Sequence, residues 1–396
     1  FNTLTANSNN DMLESKRNTT PLQSVQLVHS GEDYFSRLER IINETETEIH
    51  IQTYIFENDE TGKRILFALK KALQRNVKIY LLLDGFGSLS FPNEITTQLQ
   101  QAGGNIRLFS PLFSASSFYI GRRLHKKVVV ADGKVALIGG INIANRYSGI
   151  TYKKAWLDFA IEINSPIAKE IQSHCKANYF KKKSGLRKKI RAITELEDNV
   201  TIQILQNDWL NRKNEISKAY IQSISNAQKT ITIVGSYFLP GRKLTKALLK
   251  ASKNNVQIQL ILSGVSDLPM TRRASCYLYS KLLRHNIELF EWDQSVLHGK
   301  AMIVDGAWST IGSFNLNNLS SYASIEMNVG IQSVDFAQLF NNELQAILLQ
   351  CQKITKDSFQ TKNTIGSRIT NALAYFITRG IEIIVTYLPY SRFNHS

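Results

Sequence analysis

Apolar and polar positions alternate in two stretches of the chain, IHIQTYI from Ile49 and ITIVGSYF from Ile231, and each alternation gives way to a loop. A period of two is what a half-buried β-strand requires. After each loop the apolar spacing changes to three and four (LFALKKAL, LTKALLKA), as on one face of a helix, and then to a run rich in Val, Ile and Leu. Strand, loop, helix and strand in that order predict a βαβ unit with parallel strands over residues 49–88 and again over 231–266.

The two copies stay in step further along. NIRLF at 105–109 answers NIELF at 286–290, and LHKKVVVADGKVALIGGIN at 124–142 answers LHGKAMIVDGAWSTIGSFN at 297–315. The histidine stands 14 residues before the first glycine of the closing loop in both copies. A match of that length marks a tandem duplication. The predicted fold class is α/β: two similar lobes, each a mostly parallel mixed sheet flanked by helices, sharing one active site at a pseudo-twofold interface. The expected boundaries are a disordered leader at 1–23, a first lobe at 24–180, a basic linker at 181–199, a second lobe at 200–355 and an amphipathic tail at 356–396. A length of 396 residues suits two cores.

Charge narrows the partners. A net charge of +16 draws polyanions, whether nucleic acid, anionic lipid headgroups or phosphorylated metabolites. KKKSGLRKKIR at 181–191 concentrates part of it, as a solvated connection or as a contact for an anionic surface. The apolar tail segment 365–390 is broken by Arg368, Arg379 and Glu382, so no run reaches the roughly 20 residues that span a bilayer. It suits a helix lying in a membrane interface or packed across the groove between lobes. The opening stretch is polar and predicts neither signal peptide nor N-terminal anchor. Cys175, Cys276 and Cys351, widely spaced, read as buried thiols of a reducing compartment.

The chemistry lies in the repeated HxKxxxxD: His125, Lys127 and Asp132, then His298, Lys300 and Asp305. In a strand, residues two apart share a face, so each His projects with its Lys. The glycine turns at Gly139, Gly140 and Gly312 bring Asn142 and Asn315 to matching positions. Two facing half-sites would hold two imidazoles, two ammonium groups and two carboxamides, an inventory for one phosphodiester. One histidine can attack phosphorus while the other protonates the leaving oxygen. Lys127, Lys300, Asn142 and Asn315 would bind the charged oxygens in place of a metal ion, so neither metal nor cofactor is expected. Asp158 and Glu326, carboxylates in apolar strands, are candidates to orient the histidines, or else are edge-strand acids facing water. Asp132 and Asp305 combine a supporting site role with a turn-forming one.

These paired HxKxxxxD motifs, each followed by G(G/S)xN, resemble those of the phospholipase D superfamily. Softer segments, HSGEDYF at 29–35, IHIQTYIFENDETG at 49–62 and SYFLPG at 236–241, make the chain similar to bacterial cardiolipin synthases lacking an N-terminal transmembrane hairpin. The resemblance runs from Ser24 to Gln350. It implies a phosphohistidine intermediate, no metal, His125 as nucleophile with His298 as acid, and transfer of a phosphatidyl group to a lipid alcohol such as phosphatidylglycerol. The expected partner is an anionic phospholipid, with the protein peripheral on the cytoplasmic face of the cell membrane. Hydrolysis by the same site, as a phospholipase or a nuclease, is the alternative, and a scaffold without activity would need motif residues that are all present. Nucleic acid is disfavoured as partner by the apolar tail. One departure is segment 111–123, which sets His125 eight residues further from its NIxLF strand than His298.

Overall fold

The computed structural model describes residues 24–110, 113–114, 117–118, 122–150, 154–180, 194–195, 199–208, 211, 213–362 and 364–387. The predicted leader at 1–23 and the basic run at 181–191 lie outside them. Both βαβ units form as the periodicity requires. In the first, strands Glu48–Thr53 and Lys78–Asp84 run parallel around helix Glu60–Gln74; in the second, Thr230–Gly235 and Gln257–Ser263 run parallel around helix Arg242–Lys253. Asp59 starts the first helix by accepting the Gly62 amide at 2.9 Å. Ile65, Leu66, Ala68, Leu69 and Ala72 form its buried face.

The first sheet orders its strands as Val25–His29, Phe159–Asn164, Val135–Gly139, Lys127–Ala131, Glu48–Thr53, Lys78–Asp84 and Asn105–Phe109. The second repeats that order as Thr201–Asp208, Ser324–Gln332, Trp308–Gly312, Lys300–Val304, Thr230–Gly235, Gln257–Ser263 and Glu288–Trp292, then adds short strands at its edges. Register repeats as well: Ile49 faces Ala131 as Ile231 faces Val304. The duplication therefore holds strand for strand.

Composition pointed to two cores; the molecule has those and a third between them. Each sheet buries one face under its own helices, around Leu38, Ile65 and Leu81 in the first lobe and around Tyr220, Leu248 and Leu260 in the second. The other faces turn toward each other. Val128, Ile138 and Ile161 of the first sheet join Ile303, Ile311 and Val329 of the second, with helices Ile167–Tyr179 and Val334–Leu348 filling the space between. Each fully buried aliphatic side chain there contributes about 1.5–3 kcal/mol, so the lobes are held as one body and the cleft they share is fixed. Cys175 and Cys276 are buried and Cys351 partly so, and none is bridged.

The tail forms a helix, Ile365–Tyr387, that packs on helices Pro269–Arg284 and Asn318–Tyr322 of the second lobe. Tyr277 lies against Tyr375 in a tilted pair at 4.6 Å between ring centres, and Ala374 is buried. Among the described residues no helix is long and apolar enough to cross a membrane.

Candidate active site

Each strand that carries a motif lysine begins two residues after its histidine, which is fastened to the opposite lobe. The His125 and Lys126 amides both donate to the Ile325 carbonyl, at 3.1 and 3.0 Å; the His298 and Gly299 amides both donate to the Leu157 carbonyl, at 2.8 and 2.9 Å. Ile325 precedes Glu326 and Leu157 precedes Asp158. The side chains then complete the same bracket. His125 Nδ1 lies 3.0 Å from Glu326 Oε2, and His298 Nδ1 lies 2.6 Å from Asp158 Oδ2. The two orienting pairs are thus crossed, each lobe's carboxylate serving the other lobe's histidine. Neither is an acid facing water, for both carboxylates are fully buried.

The glycine turns make room for this. A side chain at Gly140 would stand 2.4 Å from the Asp158 carboxylate, so that position needs glycine. Its counterpart in the second copy is Ser313, whose hydroxyl instead donates to Glu326 at 2.5 Å. Asp158 Oδ1 accepts the Phe159 amide at 2.8 Å, which leaves Oδ2 for the histidine.

Lys127 and Lys300 are buried beside their histidines, and each ammonium donates to its own histidine's carbonyl, that of Lys127 at 2.6 Å. Lys300 Nζ also lies 2.9 Å from His298 Nδ1. Burial and the neighbouring Lys300 charge press the Lys127 ammonium down to about 7; burial, partly offset by Asp158 and Glu326, presses Lys300 down to about 8. Burial lowers both imidazoles too, and His298 falls well below its ordinary value because Lys300 and Lys127 add to it. Asp158 is pushed up to about 7 by burial against the pull of Lys300. Burial thus works against charge on both members of the Asp158 and His298 pair, which titrate together. The two ammonium groups would be balanced by a phosphodiester anion, whose charge would in turn raise the histidines' basicity.

Asn142 and Asn315 are buried, each held through its oxygen: Asn142 accepts the Ile55 amide at 3.1 Å, and Asn315 accepts the Ser236 hydroxyl at 2.9 Å. Asn142 Nδ2 donates to the Tyr147 hydroxyl at 2.8 Å, and that hydroxyl lies 3.4 Å from His298 Nε2. With their oxygens anchored, the two carboxamides keep amide hydrogens as the groups left to donate to an anion.

Asp132 and Asp305 require correction as catalytic residues. Each sits at the far end of its strand, five residues beyond the lysine and so about 16 Å away along an extended chain. Each has a positive φ and spends its carboxylate on backbone amides: Glu46, Thr47 and Glu48 for Asp132, Gln228, Lys229 and Thr230 for Asp305. They clamp the start of the neighbouring strand. The aspartate of the motif belongs to the fold, its histidine and lysine to the site.

Residues that the motif pattern did not reveal complete the walls. Tyr54 lies 5.0 Å from the His125 ring, and Tyr147, Trp156 and Tyr237 lie 5.2, 5.9 and 6.1 Å from that of His298. Asp84 is fully buried and accepts the Leu124 amide at 2.7 Å, while Ser263 at the matching strand end donates to the Leu297 carbonyl at 3.4 Å. Both anchor the residue just before a catalytic histidine. The signal was present in the repeats, as LLLDG against LILSG and TYIF against SYFL.

A duplicated α/β fold whose lobes exchange carboxylates to orient two facing histidines, with lysines beside them, defines an enzyme of the phospholipase D superfamily. Known proteins bear this out. The family model described as cardiolipin synthase, PLD-like domain, matches residues 38–182 and 220–348, and the chain belongs to that family. It is 31% identical over 374 residues to cardiolipin synthase B of Escherichia coli (strain K12), covering 92% of this chain and 90% of that one. It is 28% identical over 363 residues to the minor cardiolipin synthase of Bacillus subtilis (strain 168), covering 89% of each. Among solved structures, phosphatidylserine synthase of Haemophilus influenzae Rd KW20 shares the fold, with a TM-score of 0.71 at 16% identity over 92% of this chain and 95% of that one.

Proposed function

We propose that this phosphatidyltransferase moves a phosphatidyl group from one phosphatidylglycerol to the hydroxyl of another lipid alcohol, through a phosphohistidine at His125. The observation that carries the reading is the crossed pairing. A Nδ1 hydrogen committed to Glu326 leaves His125 Nε2 with its lone pair free, the form a nucleophile needs. His298, whose side chain is less exposed than that of His125 (6% against 15%), is the acid. In the first half-reaction Nε2 of His125 bonds to phosphorus, the phosphorus–oxygen bond to the departing glycerol breaks, and the proton held by His298 and Asp158 moves to that oxygen. In the second, His298 takes the proton of the incoming lipid hydroxyl, whose oxygen displaces His125. Lys127, Lys300 and the carboxamide nitrogens of Asn142 and Asn315 balance the charge on the nonbridging oxygens throughout.

The preference for lipid over nucleic acid draws support from the relatives, two of which carry the name cardiolipin synthase. The enzyme works peripherally on the cytoplasmic face of the cell membrane. Purified protein incubated with phosphatidylglycerol vesicles should yield cardiolipin and glycerol on thin-layer analysis. Phosphatidic acid in their place would make water the acceptor and the enzyme a phospholipase, and no product would overturn the reading.

A further inference from the structure

A groove of about 1350 Å³ lies apart from the histidines on the second lobe, between helices Glu215–Asn226, Arg242–Lys253 and Ile365–Tyr387. Its floor includes Phe314 and Leu316. Between them lies Asn315, a candidate site residue whose side chain accepts the Ser236 hydroxyl, so groove and candidate site share this loop.

Helix Arg242–Lys253 carries five basic residues and no acidic one. Leu244, Ala247, Leu248 and Ala251 bury its inner face, and Lys243, Lys246, Lys250 and Lys253 follow one another at intervals of three and four along its exposed face. No ion pair with a described residue neutralises any of the four. Eight Lys or Arg side chains line the groove against a single carboxylate, Glu382, which is buried and paired with Arg379 at 2.8 Å. The opposite bank, from the C-terminal helix, is formed by Tyr375, Phe376, Arg379, Glu382 and Ile383, and an apolar stripe lies on the adjoining face of that helix. The C-terminal helix turns Ile369, Leu373, Phe376, Ile377, Ile381 and Ile384 outward, each at least 44% exposed, at the spacing of one helix face. A helix tied down on one side that shows aliphatic side chains to solvent on the other is built to lie in an interface.

We propose that this groove and the two helices beside it are the surface through which the protein docks on an anionic bilayer, with lipid phosphates on the lysine stripe and acyl chains against the isoleucine stripe. Charge complementarity selects an anionic surface, and the exposed aliphatic stripe selects a bilayer over a nucleic acid, which offers isoleucine side chains no apolar phase to enter. Docking there seats the bilayer against the back of the loop that carries Asn315. The inference rests on no catalytic step, so it stands or falls separately from the proposed transfer.

The test uses the full chain. Lys246→Gln, Lys250→Gln and Lys253→Gln combined should weaken cosedimentation with vesicles rich in phosphatidylglycerol by about two orders of magnitude. Ile369→Ser with Ile377→Ser should weaken binding at high salt as well as low, because apolar burial is not screened. Both variants should keep the wild-type melting temperature, and their rates on a dispersed short-chain phosphatidylglycerol should remain within about twofold. Undiminished vesicle binding in the lysine variant overturns the proposal. So does wild-type protein that forms a concentration-dependent dimer abolished by the isoleucine changes, or that binds single-stranded DNA in preference to the vesicles through these lysines.

Discussion

At the scale of single residues, the two carboxylates that orient the histidines and the two that follow them in the motif separate cleanly by what they touch. Asp158→Asn keeps the shape but presents an amide to His298 Nδ1, so the imidazole loses its preferred tautomer. The rate should fall about 10²- to 10⁴-fold with the melting temperature little changed. Glu326→Gln should do the same to formation of the phosphohistidine, measurable by acid-labile radiolabel on the protein. Asp132→Asn predicts the reverse pattern. Partial burial pulls that carboxyl upward, but the amides of Glu46, Glu48 and Thr47 and the Thr47 hydroxyl outweigh it and hold it below its ordinary value. A depressed carboxylate stabilises the fold above its unfolded value near 3.9 and loses that contribution as pH falls through the folded one. Asp132→Asn should therefore cost about 2 kcal/mol in denaturant unfolding at pH 7 and progressively less as pH falls through the folded value, with kcat retained. A thousandfold loss of kcat at unchanged stability would return Asp132 to the site.

At the scale of elements, the C-terminal helix is tied to the loops that carry the second half-site. Arg379 donates to the Pro240 carbonyl, just beyond Tyr237, and Glu382 accepts the Asn318 amide at 3.3 Å, just beyond Asn315. Glu382 is 1% exposed, so Glu382→Gln leaves Arg379 without its counter-charge and should destabilise the protein by about 3 kcal/mol in chemical denaturation. Deleting residues 365–396 would remove this support together with the exposed isoleucines, which is why point changes on the outer face are the better probe of membrane docking. The tail helix braces loops of the second lobe rather than bridging the two lobes as one sequence reading had it.

For the whole molecule, the shared middle core and the crossed histidine brackets make neither lobe complete alone. Calorimetry should show one cooperative unfolding transition, and two resolved transitions would contradict the packing. The paired half-sites also set the pH dependence. Lys127 near 7 and Lys300 near 8 lose their charge as pH rises, so kcat/KM, which reports the free enzyme, should decline on an alkaline limb between about 7 and 8. Bound phosphodiester favours the charged ammonium, so the limb in kcat should lie at higher pH. A profile flat to pH 10 would remove the lysines from charge balance. Activity should persist in excess EDTA, since ammonium groups take the place of a metal; loss reversed by zinc or magnesium would reverse that conclusion.

The sequence by itself determined the duplication and the parallel βαβ units and singled out the histidines, lysines and asparagines, because each is carried by a local period or by an interval shared between copies; Asp158 and Glu326 stood out only as acids in apolar strands. Which carboxylate serves which histidine was not legible, since that depends on how two sheets meet and not on spacing within either. The same holds for Asp132 and Asp305. Their place in the motif is a matter of sequence, yet the amides that occupy them lie more than seventy residues away in the chain. Trp156 joined the site only when the fold brought separate strand ends and loops together, whereas Tyr54 and Asp84 stand at matching places in the repeats without a motif to mark their role. Local periodicity writes the elements; the apposition of two sheets across a shared core decides which of their side chains meet.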